Sequence, residues 1–197
     1  MAIWSVVLAA GEGRRMGGTK GLVELRGRPL LEHVLGAVRQ STVSGAIVVV
    51  GADADAVTPV AEAAGGIVVE NPDWRSGQTS SIRSGLAALP DDADGFLIHP
   101  VDHALVTTDD LDALMDAWAA TPAPEREQMI LRPVCDGAWG HPVLFARHYA
   151  DAFLALAPDE PGHTVYRAHR DRVSAVPVSN PNIATDLDTP DDLADHE

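Results

Sequence analysis

A glycine-rich segment with three basic residues follows the first apolar run of the chain. It covers residues 11–20 and reads GEGRRMGGTK. Glycine permits positive φ and close approach of the backbone to a ligand, and the backbone N–H groups of such a loop can face phosphate oxygens. Arg15 and Lys20 supply positive charge, and Lys20 is the single lysine among the 14 basic residues. The segment therefore predicts a site for a small polyanion.

Acidic side chains near the ends of predicted elements form a second set of candidates. Asp102 lies just past a predicted strand, and Asp186 and Asp188 lie just before a predicted helix. Mg²⁺ prefers carboxylate oxygens and water, and it is usually bound through one or two protein carboxylates plus substrate phosphates. These three acids are therefore candidate metal ligands. Asp191 and Asp192 are explained by capping of the helix that they begin.

The charge of the chain excludes several classes of partner. The net charge is −15, yet residues 1–40 carry six basic and three acidic residues and are locally basic. An acidic protein does not suit nucleic acid or an anionic membrane surface, because both need a basic face. The lone Cys135 excludes an intramolecular disulfide and a cysteine-rich metal site. The apolar run 3–10 is too short for a membrane span and has no basic front, so we expect a cytoplasmic protein.

Strands and helices are predicted to alternate, which is typical of an α/β doubly wound sheet that is mostly parallel at first. Predicted strands cover residues 3–10, 46–50, 66–70, 95–99, 128–134, 141–145 and 173–178. Predicted helices cover residues 29–40, 53–64, 80–89, 111–120, 147–157 and 165–170, with a last one from 190. Because such sheets bind ligands at the carboxyl ends of their strands, the loops after Ala10, Glu70 and His99 should share one crevice.

The glycine-rich segment has four competing interpretations. A P-loop is excluded because Lys20 is followed by Gly21 rather than Ser or Thr. The dinucleotide-binding fingerprint fits Gly11 and Gly13, but its third glycine, Gly17, comes one residue late. A wide loop that wraps a triphosphate fits both the glycines and the basic residues. A flexible surface loop would also be rich in glycine.

Residues 8–20, LAAGEGRRMGGTK, match the pattern L-A-x-G-x-x-x-R-M-G-x-x-K and resemble the signature of the molybdenum-cofactor nucleotidyltransferases. Further segments are similar to that family in the same order: residues 71–86, 100–102, 140–143 and 186–193. The resemblance implies one Rossmann-like domain of the nucleotide-diphospho-sugar-transferase type over residues 1–197. Residues 1–105 would be its NTP-binding half and residues 106–197 its acceptor-binding half.

The chemistry that the resemblance implies is transfer of a nucleoside monophosphate from an NTP to a phosphomonoester, with release of pyrophosphate. The attacking phosphate is already ionised, so the reaction needs positioning and charge neutralisation rather than a general base. Arg15 and Lys20 are the expected catalytic residues, holding the β- and γ-phosphates. Asp102 and Asp186 are the expected Mg²⁺ ligands, with Asp188 as an alternate.

The resemblance also implies two sets of binding residues. The expected NTP-binding residues are Leu8, Ala9, Ala10, Gly11, Gly13, Gly17, Ser80 and Ser81. The expected acceptor-binding residues are Asn71, Gly77, Gln78, Gly140 and His141.

The identity of the substrates is inferred from shorter stretches. Ala9-Ala10 before Gly11 is similar to the cytidylyl-transferring type, and the methyl group of residue 10 narrows the space near the base. CTP is therefore expected rather than GTP. The expected acceptor is molybdopterin, a pterin phosphate, and a molybdoenzyme that receives the cofactor would be a partner.

The acceptor assignment meets two departures from the family pattern. Residues 101–104 read VDHA where Asp-Gln-Pro is common, and residues 162–164 read GHT in place of Gly-Ala-Arg. Arg83, Arg132 or Arg167 would have to replace the missing arginine.

Several conspicuous residues have plain structural interpretations, and two other functions stay open. We expect structural roles for His99 and His103, packing roles for Trp74 and Trp139, and burial for Cys135. One alternative function is a nicotinamide-dependent oxidoreductase on the same scaffold. Another is a non-catalytic protein that binds the molybdenum cofactor.

Overall fold

A mixed β-sheet runs through the centre of the computed structural model, which describes residues 1–157 and 160–197. The strands in these ranges are β1 (Ile3–Leu8), β2 (Glu24–Leu25), β3 (Arg28–Pro29), β4 (Gly45–Val50), β5 (Ile67–Glu70), β6 (Gly95–Pro100), β7 (Ile130–Cys135), β8 (Ala138–Trp139), β9 (Val143–Ala146) and β10 (Val173–Pro177). The helices are α1 (Leu30–Gln40), α2 (Ala54–Ala63), α3 (Gln78–Ala87), α4 (Thr108–Ala120), α5 (Ala123–Arg126), α6 (Tyr149–Leu154), α7 (His163–Ala168) and α8 (Pro190–Ala194).

The strand order of the main sheet is β10-β7-β9-β6-β1-β4-β5, with β8 paired to β7. Strands β5, β4, β1 and β6 are parallel, and β10 is parallel to β7. Strand β9 runs antiparallel to both of its neighbours, β6 and β7. The carboxyl ends of the parallel strands therefore share one edge of the sheet with the beginning of β9. The predicted α/β sheet is confirmed.

Two groups of helices cover the faces of the sheet. Helix α1 packs against α2 and α4, whereas α3 packs against β1, β4 and α6. Strands β1, β4 and β6 are almost wholly buried, as their runs of β-branched and apolar residues predict. An aromatic cluster of Phe96, Phe145 and Phe153 fills the space between β6, β9 and α6, with ring centroids 5.1–5.9 Å apart. No helix in the described ranges has the length and apolarity that a membrane crossing needs.

The predicted elements are present with shifted ends. Helix α3 begins at Gln78 rather than residue 80, and α6 is shorter than the predicted 147–157. The hairpin β2–β3, helix α5 and strand β8 were not predicted, since elements of two to four residues leave no readable periodicity. A tight turn with positive φ at Asp136 and Gly137 joins β7 to β8.

Helix α3 lies close to the sheet because residue 85 has no side chain. A Cβ atom at Gly85 would lie 2.3 Å from Cγ1 of Val6 and 2.9 Å from Cγ2 of Val49. This approach sets the distance between α3 and strands β1 and β4.

We expect Gly85→Ala to lower the free energy of unfolding by about 1–3 kcal/mol, because the methyl group overpacks the α3–sheet contact. Gly36→Ala is the matched control in α1, where the nearest atom to an added Cβ is Nε2 of Gln40 at 4.0 Å. This control should gain about 0.5–1 kcal/mol from lower backbone entropy in the unfolded chain. Urea denaturation measures both values, and equal stabilities would contradict the packing argument.

Candidate functional site

The glycine-rich loop after β1 folds back on itself and returns Lys20 to the edge of the sheet. Gly13 and Gly17 have φ of +60° and +74°. A Cβ atom at Gly13 would lie 2.1 Å from the carbonyl oxygen of Gly18 and 2.8 Å from the backbone nitrogen of Lys20. Glycine is therefore required at residue 13 by both φ and space. Gly11 lies outside the left-handed region.

Lys20 connects the loop to two acidic side chains from distant parts of the chain. Its Nζ donates to Oδ2 of Asp102 at 2.7 Å and to Oδ1 of Asp188. The guanidinium group of Arg15 lies on the outer side, with Nη1 3.1 Å from Oδ2 of Asp188. We call Arg15, Lys20, Asp102 and Asp188 the Lys20 cluster. The glycine-rich loop and two distant acidic residues therefore meet at one ammonium group.

The ion pairs of the Lys20 cluster stabilise its charged forms. Partial burial lowers the pKa of Lys20, but the hydrogen bonds to Asp102 and Asp188 outweigh this effect, and the net pKa is raised. The hydrogen bond from Lys20 holds the pKa of Asp188 below its usual range against the opposing effect of burial, and the charges of Lys20 and Arg15 add to the lowering. Both shifts favour the charged forms of Lys20 and Asp188 at neutral pH.

The carboxylates nearby suit a hard divalent ion that keeps most of its own water. Asp102 Oδ1 is buried and has no hydrogen-bond partner among the described residues. Asp186 lines the same cavity as Asp102. No group of three or more metal-ligating side chains occurs within residues 1–157 and 160–197. Two carboxylates with an unpartnered oxygen are a donor set that Mg²⁺ can use together with phosphates. The choice of Asp102 and Asp186 stays a prediction.

The alternate metal ligand, Asp188, is differently engaged. Its two carboxylate oxygens contact Lys20 and Arg15, and its backbone N–H donates to Asp192. The structure therefore places Asp188 with the basic side chains of the loop.

Two cavities meet at Asp102. The first, which we call the loop cavity, has a volume of about 600 Å³. Its lining includes Leu8, Ala10, Gly11, Gly13, Lys20, Trp74 and Ser81. The second, which we call the aromatic cavity, has a volume of about 540 Å³. Its lining includes Ile82, Ile98, Arg132, His141, Phe145, Phe153, Tyr166 and Asp186.

Four residues line both cavities and form their junction: Gly77, Gln78, Pro100 and Asp102. Gly77 has φ of +121° and ψ of 173°, a conformation that is essentially restricted to glycine. This backbone lets α3 begin at Gln78, directly at the junction. A ligand in each cavity would therefore meet its neighbour beside the Asp102 carboxylate.

Some of the expected binding residues lie outside these linings. Ala9 is buried and donates its N–H to Val49, Gly17 serves a turn, and Ser80 hydrogen-bonds the carbonyl groups of Asp73 and Gly77. Gly17 is exposed, and Ser80 borders a different pocket beside Asn71.

Asn71 and Gly140 have structural roles that differ from the expected acceptor contacts. Asn71 is buried, its Nδ2 donates to Ser80 and Ser81, and its Oδ1 accepts from the N–H of Asp73. A Cβ atom at Gly140 would lie 2.5 Å from the carbonyl oxygen of Ile183. The close approach at Gly140 is therefore made by the protein's own chain rather than by a ligand.

Three histidines lie together at the aromatic cavity, where His103 and His141 line the wall and His99 lies outside the lining. His99 is fully buried, and neither of its ring nitrogens has a partner among the described residues. The rings of His103 and His141 lie 4.4 Å apart between centroids. Burial, reinforced by the neighbouring His103, lowers the pKa of His99 to about 4. Burial also lowers the pKa of His141 to about 3, and His103 and Arg132 add to this effect. The lowered pKa values favour the neutral form of the His99 and His141 rings.

Arg132 is the one of the three candidate arginines that lines the aromatic cavity. Its Nε donates to the carbonyl group of Gly140 at 2.9 Å, and its Nη2 donates to that of Trp139 at 3.4 Å. The guanidinium group also lies 5.3 Å from the ring centroid of Tyr166. From the sequence, Arg132 was one candidate together with Arg83 and Arg167, with no reason to prefer it. The position of an arginine within the otherwise apolar strand β7 is a signal that could have distinguished it.

Trp74 and Cys135 have packing roles, whereas Trp139 is exposed rather than packed in the core. Trp74 packs against Gly51, where a Cβ atom would lie 2.6 Å from Cβ of Trp74, and it also borders the loop cavity. Trp139 is 42% exposed on β8. Cys135 is buried, as expected.

Residues 5–173 match the MobA-like NTP transferase domain. Among curated proteins, nicotine blue oxidoreductase of Paenarthrobacter nicotinovorans is 35% identical over 113 residues, which cover 57% of this chain and 51% of that protein. The 2-C-methyl-D-erythritol 4-phosphate cytidylyltransferase of Pseudomonas fluorescens is 31% identical over 128 residues, covering 61% and 54%. The chain thus spans about half the length of these two relatives.

Solved structures match over almost the whole chain. Rv0371c from Mycobacterium tuberculosis H37Rv superposes with a TM-score of 0.81 at 26% identity, covering 99% of this chain and 97% of that one. Its complex with manganese superposes with a TM-score of 0.75 at 25% identity, covering 99% and 97%. The expected fold and the resemblance to the molybdenum-cofactor nucleotidyltransferases are confirmed.

We expect stability to fall as the pH falls from about 6.5 to about 4, because unfolding lets His99 and His141 take up protons that the folded protein excludes. The free energy of unfolding should drop by roughly 1 kcal/mol per pH unit for each histidine within this window. Above about pH 6.5 these two histidines should contribute no pH dependence. His99→Met should reduce the slope, and His148→Gln, at an exposed position, is the matched control. Urea denaturation at several pH values measures the slope, and an unchanged slope in His99→Met would contradict the assignment.

Proposed function

Because the chain belongs to the family of MobA-like NTP transferase domains, we propose that it transfers a nucleoside monophosphate from an NTP to a phosphomonoester and releases pyrophosphate. The observation that carries this proposal is the position of Asp102 at the junction of two cavities, with Lys20 of the loop cavity bonded to it. The loop cavity takes the NTP and the aromatic cavity takes the acceptor. The reacting phosphates then meet beside Asp102.

The residues present suit a reaction that depends on position and charge. A phosphate oxygen of the acceptor attacks the α-phosphorus, the bond to the β-phosphate oxygen breaks, and pyrophosphate leaves with the electron pair. The glycine-rich loop offers backbone N–H groups to the phosphates, and Lys20 and Arg15 neutralise the charge that grows on the leaving group. The attacking oxygen is ionised at neutral pH, so no side chain has to remove a proton.

Divalent metal is part of this proposal, with Mg²⁺ as the expected ion. Asp102 and Asp186 would hold it, and it would supply charge neutralisation at the phosphates. The unpartnered Oδ1 of Asp102 supports this donor set. A structure of Rv0371c in complex with manganese supports divalent metal binding in the family.

CTP is the proposed nucleotide. Ala10 is 5% exposed and borders the loop cavity, so its methyl group takes up space that a larger base would need. Several relatives are cytidylyltransferases by name, including the Pseudomonas fluorescens protein. Both observations favour cytidine over guanosine.

Molybdopterin is the proposed acceptor, and a molybdoenzyme would receive the product. The aromatic cavity has apolar walls from Ile98, Phe145 and Phe153 that suit a flat ring system rather than a small polyol. Arg132 borders the same cavity and keeps N–H groups beyond the two that bind backbone carbonyl groups. It can therefore replace the arginine missing from residues 162–164.

A nicotinamide-dependent oxidoreductase is the second candidate, favoured by the name of the Paenarthrobacter nicotinovorans relative. The loop geometry opposes it. A dinucleotide pyrophosphate is bound at the N-terminus of a helix that opens directly after the glycines. Within residues 9–29, all of them described, the loop leads into 3-10 turns and a hairpin, and α1 begins only at Leu30. A cofactor-binding protein without catalysis is a further alternative, which the next experiment also tests.

We expect pyrophosphate release that requires an NTP, molybdopterin and Mg²⁺ together, with CTP preferred over GTP, ATP and UTP. Asp102→Asn should lower turnover by about 100-fold or more, because it removes charge at the junction of the cavities. Asp191→Asn, in the first turn of α8, is the matched control and should keep turnover near that of the parent. Two outcomes would contradict the proposal. One is binding of NADH without pyrophosphate release from any NTP, and the other is full activity in Asp102→Asn.

We expect Arg132→Met to raise KM for the acceptor by about tenfold or more while KM for CTP stays within about twofold. The reason is that Arg132 borders the aromatic cavity and does not border the loop cavity. Arg83→Met is the matched control, since Arg83 lies outside the linings of both cavities. Initial rates at varied acceptor and varied CTP separate the two constants. Equal effects of the two variants would remove Arg132 from the acceptor site.

A further inference from the structure

Lys20 has two carboxylate partners in the structure. Its ammonium group hydrogen-bonds Asp102 and Asp188, and its side chain is only 19% exposed. The proposed function requires the same ammonium group to contact the phosphates of an NTP. Binding of the nucleotide must therefore exchange the carboxylate partners of Lys20 for phosphate partners.

The exchange needs no movement of the backbone around Lys20. Thr19 is buried and donates its hydroxyl hydrogen to Asp53, and Gly21 is buried on the other side. Lys20 also borders the loop cavity that would hold the phosphates. Rotation of the flexible side chain alone can carry the ammonium group from Asp102 into this cavity.

Asp102 cannot serve two cations equally well. Its Oδ2 binds Lys20 at 2.7 Å, and its unpartnered Oδ1 belongs to the same small carboxylate group. A divalent ion at Oδ1 would lie close to the ammonium group, and the two positive charges would repel each other in a site that is shielded from water. Removal of the ammonium group toward a triphosphate relieves this repulsion.

We propose that Lys20 is the counterion of Asp102 in the nucleotide-free protein and keeps free divalent metal from this carboxylate until a triphosphate draws the ammonium group away. Metal and nucleotide then bind as one unit. This inference rests on the proposed function. Asp188 is a positioning residue, since it holds Lys20 beside Asp102 and keeps Arg15 as a partner after Lys20 leaves.

Binding of Mn²⁺ to the nucleotide-free protein tests the inference without turnover. Free Mn²⁺, followed by electron paramagnetic resonance, should bind Lys20→Met at least about tenfold more tightly than the parent protein. Arg15→Met is the matched control, because Arg15 contacts Asp188 but not Asp102. It removes the same charge and should change Mn²⁺ affinity by less than about threefold. Equal affinity of the parent and Lys20→Met, or an equal gain in Arg15→Met, would overturn the inference.

A second measurement uses the parent protein alone and does not depend on folding of a variant. The complex of the protein with a non-hydrolysable CTP analogue should bind Mn²⁺ at least about tenfold more tightly than the analogue alone does. By reciprocity, the protein should bind the Mn²⁺-loaded analogue more tightly than the free analogue by the same factor. Independent binding of the two would overturn the inference, even if pyrophosphate release occurs. Failure of all NTPs to bind would instead overturn the proposed function, and the comparison of the parent with Lys20→Met would still decide whether Lys20 excludes the metal.

Discussion

The ion pair between Lys20 and Asp102 joins the two features on which the site depends. One is a loop that only glycine can form at residue 13, and the other is the carboxyl end of the buried strand β6. Asp188 adds the segment before α8, so three distant parts of the chain meet through one ammonium group. Such a cluster is marginally useful for stability, since desolvation offsets much of the attraction. Its value lies in collecting charge at a point that two cavities share.

The parallel half of the molecule follows from its sequence in a direct physical way. The β-branched run of β4 and the apolar run of β1 can be buried only in the interior of a sheet, and the following glycines require a turn. The position of Lys20 opposite Asp102 then follows, because parallel strands deliver their ends to one edge. The family resemblance added the expected identity of the ligands, which charge and periodicity do not contain.

The antiparallel half of the sheet was harder to predict from the sequence. Strand β8 has two residues, and its partner β7 carries Arg132 within an otherwise apolar run. The bonds from Arg132 to the carbonyl groups of Gly140 and Trp139 depend on a hairpin whose register has no periodic signature. The family resemblance implied acceptor contacts for Asn71 and Gly140. Their partners are other parts of the protein, and only three-dimensional packing distinguishes these cases.

The reversal of β9 separates the walls of the two cavities in the chain. Strand β1 leads out of the sheet into the loop cavity and β6 ends at the junction of both cavities, whereas the chain enters β9 from the aromatic cavity through His141. The hairpin that precedes β9 is stabilised by its own tight turn at Asp136 and Gly137. Insertions or substitutions in residues 136–142 can therefore reshape one compartment while the glycine-rich loop keeps its geometry. Under the proposed function, a scaffold arranged in this way can acquire new acceptors by local change and retain the same nucleotide donor.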